Sequence, residues 1–337
     1  MTARALVCVA VLLLGVSTET VAKAGDAGVI RLENAQARVT FAAAGGALIG
    51  FQPADEPINP LSWALIAEDM PAAARGGAPF RGHFLCFGRW GSPSPGEIAA
   101  GVPHNGEPAA RTWQVLEPRP SARELRMQVD APIEQWAVRR HVRLSGRSAL
   151  LHVEETYENL QATARFTAIV QHATLGPPFL SQRTRIDCNA GAGFNQGLVK
   201  DGIIRHPYRW PAGVSNDRGS PLDLRRCEGA DGYVSTHVID EALGWVTAAS
   251  PDAKWMIGYL WDARGYPWLH LWHGMRDGRL WARGLEFGTT GLGDTVSPEV
   301  RATTRFEGRH NLLFVDAHAS VTRRYRVFLL PIPTDFL

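Results

Sequence analysis

The chain has 337 residues and a formal net charge of +2, with 45% of residues hydrophobic and 20% charged. This is ordinary globular composition, and the near-neutral balance without a Lys/Arg-rich run excludes an electrostatic nucleic-acid binder. Length alone allows two domains, although a large all-β fold of this size can form a single unit.

The N-terminus carries Arg4, the apolar run "ALVCVAVLLLGV" and small residues at Ala22-Lys23-Ala24. Those three regions in order predict a secretory signal over residues 1–24 and an exported chain. The apolar run is short for a bilayer, and no second segment of spanning length follows, so no membrane association is expected after cleavage. Loss of Cys8 with the signal leaves Cys86, Cys188 and Cys227, which permits one disulfide at most. Cys188 and Cys227 lie in loop-like segments and are the plausible pair, whereas Cys86 in "HFLCFG" reads as a packed strand residue. There is no Cys-x-x-Cys pattern, and no structural zinc is expected.

Short strand-like runs then alternate with turns, from "ARVTFAAAGGALIGF" through "ELRMQVDAP", "WAVRRHVRLS" and "ALLHVEETYENL" to "VTRRYRVFLLP". Many alternate apolar with polar residues, and 34 Gly and 22 Pro punctuate the joins. A single all-β domain over residues 25–337 follows, a sandwich of large antiparallel sheets. The segment from Asp187 to Asp240 is the least regular, and such excursions cover the end of a sheet where ligand sites are built.

Four stretches can carry chemistry. In "RGHFLCFGRWGSPSPG", Arg81 and Arg89 flank an apolar strand; each could aim donors into a cleft or pair with a surface carboxylate. In "GVPHNGEPAARTW", His104, Asn105 and Glu107 share a Pro/Gly loop, a grouping suited to a polyhydroxyl ligand. In "RFTAIVQHATLGPPFL", Phe166, Ile169 and Val170 predict a buried strand that ends by delivering His172 ahead of the Gly176-Pro177-Pro178 turn. A lone histidine is more often a core residue, but one at a strand end is placed for use. In "LWARGLEFGTTGLG", Glu286 between Leu285 and Phe287 is either exposed by alternation or buried, and burial would raise its pKa toward neutrality. His270 and His273 in "HLWHG" should face opposite sides of a strand, so no metal site is predicted. No nucleophile elbow, phosphate loop or dinucleotide fingerprint occurs.

The order of these stretches is similar to the aldose 1-epimerase (galactose mutarotase-like) family, including its hexose-phosphate branch. "RGHFLCFGRWG" and "HNGEPAARTW" resemble the family's arginine-glycine strand and the His-Gly loop and Trp that follow. "LHVEETYENL" and "FTAIVQHATLGPPFL" resemble its next two strands, with His172, Gly176, Pro178 and Phe179 matching a recurrent His-x-x-x-Gly-x-Pro-Phe ending. "ARGLEFGTTG" looks like the segment that bears the family's late glutamate. The His-x-Tyr-Phe form is replaced by Ala173 and Thr174, and "SPSPGEIAAGVP" separates the first two stretches.

The resemblance implies a β-supersandwich that interconverts sugar anomers by acid/base ring opening and closure, without metal or organic cofactor. Glu286 would act as general base and His172 as general acid, the two facing one cleft with a sugar ring between them. His104, Arg81 or Arg89 would hold hydroxyls, with Asn105 and Glu107 in the same binding loop, and Trp268 would stack on the ring. The partner is then a mono- or oligosaccharide. A non-catalytic carbohydrate-binding protein, or a polysaccharide lyase or glycoside hydrolase on a related sandwich, are the alternatives.

Overall fold

The computed structural model describes residues 28–117, 121–229, 231–293, 296–333 and 335. The expected export signal lies outside the described residues. Strands Glu124–Ala131, Trp136–Leu144 and Leu150–Asn159 bury alternate side chains, as the apolar/polar alternation of their sequences requires. They belong to an eight-stranded antiparallel sheet in the order Arg185–Cys188, Leu243–Ser250, Trp255–Asp262, Ser320–Pro331, Leu150–Asn159, Trp136–Leu144, Glu124–Ala131, Gln114–Val115.

A larger, eleven-stranded sheet starts with Val29–Glu33, Ala37–Ala42, Leu48–Pro53 and His83–Phe87, then passes to Ile169–Leu175 and Arg279–Gly284. It continues through Trp268–Arg276, Tyr233–Ile239 and Ala190–Asn195 to Tyr208–Arg209. The short strand Glu286–Gly288 fits between Ile169–Leu175 and Trp268–Arg276, pairing with both. The two sheets share one hydrophobic core. Leu85, Phe87, Ile169, Leu269, Leu285 and Phe287 enter it from the larger sheet, and Leu125, Val138, Leu151, Tyr259 and Val327 from the smaller. This is the antiparallel sandwich expected from the sequence.

A polar cluster sits inside that core. Arg140 and Glu155 form a buried ion pair at 2.6 Å, and Tyr157 donates to the same carboxylate. Gln171 donates to Glu155 and to the hydroxyls of Tyr157 and Tyr266, both at 3.2 Å, while its Oε1 meets His83 Nε2 at 3.0 Å. A buried charge pair holds only when its remaining valences are met, and here the side chain of Gln171 ties the larger sheet to that pair.

The run read as one strand ending at His172 is two strands, Arg165–Thr167 and Ile169–Leu175. Phe166 pairs with Phe314 in a small two-stranded ribbon and is 60% exposed rather than buried. His172 lies at the middle of its strand, which runs on to Leu175 before Gly-Pro-Pro stops it. Cys188 and Cys227, the plausible disulfide pair, are separate buried thiols, and Cys86 is buried within its strand as expected.

Candidate active site

The register of the larger sheet assembles the site. His172 stands opposite Phe84, Gln171 opposite Phe287, Glu286 opposite His270, and His270 opposite Thr236. One step from the Gln171–Phe287 pair brings His172 level with Glu286. Phe84, His172, Glu286, His270 and Thr236 therefore form a row across five strands, all on the face turned away from the sandwich core. Their sequence neighbours Leu85, Phe287 and Leu269 point into that core.

Glu286 is almost fully enclosed. Its Oε2 accepts from Trp90 Nε1 at 3.0 Å, and its Oε1 lies 3.4 Å from His172 Nε2. Burial pushes the carboxyl up to about 8, against the opposing pull of the Trp90 hydrogen bond. A Cβ on Gly284 would stand 2.5 Å from Glu286 Oε1 and 2.9 Å from the Trp272 Cβ, so a side chain there would displace the carboxylate.

His172 stacks on Phe84 at 4.5 Å, lies 6.4 Å from Trp63 and 6.0 Å from Trp272, and bonds Thr174 Oγ1 through Nδ1 at 2.9 Å. The same burial lowers its pKa to about 3. Near neutrality the pair therefore carries one exchangeable proton on Glu286 and an uncharged imidazole. Either Nδ1 or the Thr174 hydroxyl can donate in that contact; in the tautomer with Nδ1 as donor, Nε2 is an acceptor.

Both groups face one cavity of about 330 Å3, whose lining includes Trp90, His104, Asn105, Gln196, Val234 and Trp272. At 3.4 Å the two side chains touch, which leaves no room between them for the sugar ring that the resemblance placed there. Trp90 is fixed from two sides: its ring lies 4.1 Å from that of His270, and its indole N–H holds Glu286. His270 is itself anchored, with Nδ1 2.9 Å from Thr236 Oγ1. Gln196 donates to that hydroxyl at 2.7 Å and to the carbonyl of Gly291 at 2.6 Å. His273 lies on the opposite face of the strand, stacked on Tyr233.

The other sequence candidates divide. His104 and Asn105 line the cavity. Asn105 adopts φ 64°, a left-handed conformation that asparagine tolerates, and its Oδ1 accepts from Gly91 N at 2.7 Å. Glu107 does not reach the cavity. It is buried in a reciprocal clasp, in which the Glu107 amide donates to Glu134 at 2.7 Å and the Glu134 amide donates to Glu107 at 2.8 Å. That clasp anchors the loop bearing His104 and Asn105.

Arg89 turns back on its own loop, donating to the Ser92 carbonyl and lying 3.5 Å from Glu97. Arg81 forms an isolated bridge with Ala64. Neither arginine lines the cavity. Trp268 is fully buried with Phe194, Phe306 and Leu292, its indole donating to the His310 carbonyl, and offers no sugar platform. Trp272, four residues on and on the same side of the strand, takes the cavity position instead. Alternation from His270 could have identified Trp272; nothing local in the sequence marks Gln196 beyond its place in the irregular segment.

No protein-family model matches the sequence, and no curated relative is found by sequence comparison. Solved structures do match. A protein assigned provisionally as an aldose 1-epimerase from Escherichia coli K12 is 14% identical, with a TM-score of 0.62 over 90% of this chain and 99% of its own. A galactose mutarotase related enzyme from Lactobacillus acidophilus is 12% identical, with a TM-score of 0.62 over 91% and 98%. A galactose mutarotase-like protein from Clostridium acetobutylicum is 11% identical, with a TM-score of 0.63 over 90% and 95%. The chain has the galactose mutarotase-like fold.

Proposed function

We propose that the protein is an exported sugar epimerase that equilibrates the anomers of an uncharged aldose. The observation that carries this reading is the His172–Glu286 contact at 3.4 Å on the floor of a cavity, with both groups held neutral by burial. O1 and O5 of a pyranose are both bonded to C1, so an acceptor and a donor side by side can serve both oxygens. Nε2 of His172 takes the proton from O1–H as C1–O1 becomes a carbonyl. The C1–O5 bond breaks, its electron pair goes to O5, and O5 receives the Glu286 proton. The open-chain aldehyde turns about C1–C2 and recloses on the other face, with both protons returned.

In the free protein Glu286 thus starts as the acid and His172 as the base, the reverse of the roles implied by the resemblance. Both act in each direction, so the pair remains the same. The Glu286 value of about 8 lies close to neutrality, where a proton donor is effective.

The lining supports an uncharged sugar: among its described residues there is no Lys or Arg to meet a phosphate or carboxylate. Those residues also include a single carboxylate, whereas glycoside hydrolysis ordinarily uses two. Trp272 offers the ring platform. Export rests on the sequence of residues 1–24.

Polarimetry or NMR of freshly dissolved aldoses tests the proposal. The wild type should speed anomer equilibration, while His172→Ala and Glu286→Gln should each lose at least a hundredfold. Equal rates for all three proteins would refute it. Sugar binding that survives Glu286→Gln, with no acceleration by the wild type, would establish a binding protein instead.

A further inference from the structure

The solvent face of the smaller sheet carries a second cavity, of about 450 Å3, on strands whose inward side chains belong to the core. Two cross-strand rows cross its floor, and they differ in charge order. In one, His141 stands opposite Glu154, Glu154 opposite Arg324, and Asp262 opposite Leu243 one strand further on. There each carboxylate is neutralised. Glu154 pairs with Arg324 at 2.6 Å, and Asp262 holds Arg264 through two contacts of 3.1 and 2.9 Å.

In the other row Arg143 stands opposite His152, and His152 opposite Arg326, followed by Leu260; the acid at the outer end of the row, Glu124 opposite Arg143, is engaged by His141 and by Arg126 at 3.2 Å. Strands about 4.8 Å apart place the two guanidinium stems about 10 Å apart, with the imidazole between them. Like charges at this spacing repel when nothing lies between them. Arg326 Nε donates to His152 Nδ1 at 3.4 Å, which leaves the His152 proton on Nε2 as a further donor.

We propose that this row is a binding site for an oxyanion (carboxylate, sulfate or phosphate) carried on a body about the size of a sugar ring, with Arg143, His152 and Arg326 as its ligands. Arg143, His152 and Arg326 line the same cavity and supply donors, two of the three permanently charged, with a half-buried Leu260 beside them for an apolar flank. The volume exceeds the needs of a bare inorganic ion and falls in the range of small-ligand sites. The site stands on the far side of the core from His172 and Glu286, and it does not depend on what they catalyse.

His152 reports occupancy. Its pKa lies below the ordinary histidine value, first through burial and then through the charges of Arg326 and Arg143, with Glu154 of its own strand engaged by Arg324. An anion bound among these groups offsets both guanidiniums and raises the pKa again.

The experiment is NMR titration of the His152 ring in the full chain with glucuronate, inorganic phosphate and, as an uncharged control, glucose. Glucuronate and phosphate should both raise the His152 pKa, and glucose should leave it unchanged. The effect should weaken with added NaCl. Arg143→Gln with Arg326→Gln, both exposed positions, should weaken anion binding at least tenfold while leaving anomer equilibration as in the wild type. Glucuronate tighter than phosphate sustains the ring-sized oxyanion, and phosphate binding as tightly as glucuronate overturns the ring-sized body. Glucose acting like glucuronate, or the double variant binding as the wild type does, overturns it.

Discussion

Trp90→Phe isolates one interaction at the centre of the site. The substitution keeps a smaller aromatic ring beside His270 and removes the N–H that reaches Glu286 Oε2 at 3.0 Å. That hydrogen bond favours the ionised carboxylate, so it pulls the Glu286 pKa down while burial pushes it up to about 8. A hydrogen bond to a charged acceptor contributes roughly 1.5–3 kcal/mol when buried. Trp90 is only half-buried, so the lower part of that range applies, and one pH unit corresponds to about 1.4 kcal/mol. The carboxyl of the variant should then titrate about one pH unit higher, near 9. The assay is 13C NMR of protein labelled at the glutamate carboxyl, with Glu286→Gln identifying the resonance; this readout requires no activity. The high-pH fall in anomer equilibration, where Glu286 loses its proton, should move with it. An unchanged or lowered value would refute the account of Glu286 as a desolvated acid restrained by Trp90.

Two more outcomes follow from the same packing. The Glu286 pKa is raised by folding, from about 4.5 to about 8, so its favourable contribution is complete below pH 4.5 and is lost as pH climbs to 8. Glu286→Gln lacks this loss, and its stability advantage in urea unfolding should grow between those limits by on the order of 4 kcal/mol; parallel pH profiles would contradict the burial argument. Trp268→Ala should cost about 3–5 kcal/mol because that side chain is fully enclosed, whereas Trp272→Ala should cost less and mainly raise KM for sugar. Equal losses of stability would show that the two tryptophans do not play separate structural and binding parts.

Much of the sandwich is legible in the sequence because alternation with period two fixes which side chains turn inward, as in Leu151, Val153 and Tyr157. His172 and Glu286 were legible as residue types at strand positions, but their contact was not, since it depends on register between segments more than a hundred residues apart. The aromatic platform shows the same limit. Trp268 and Trp272 share a strand face, and only the distant Phe194, Leu292 and Phe306 decide which of them is covered. The arginines failed for a different reason. Arg89 finds its acceptor three residues away in its own loop, a local solution that a search for a cleft overlooks. Glu107 likewise binds Glu134, whose burial raises its carboxyl pKa to about 7, so an acid in a polar loop proved to be an internal tie.

The strand Ile169–Leu175 joins two environments that cannot be exchanged. Gln171 locks into the polar cluster between the sheets while His172, its neighbour, opens onto the cavity. A frameshift of pairing by a single residue would drive the imidazole into oily packing and expel the amide from its partners. Lineages carrying this chain can lengthen its surface loops, but within these seven residues neither an insertion nor a deletion should ever be tolerated.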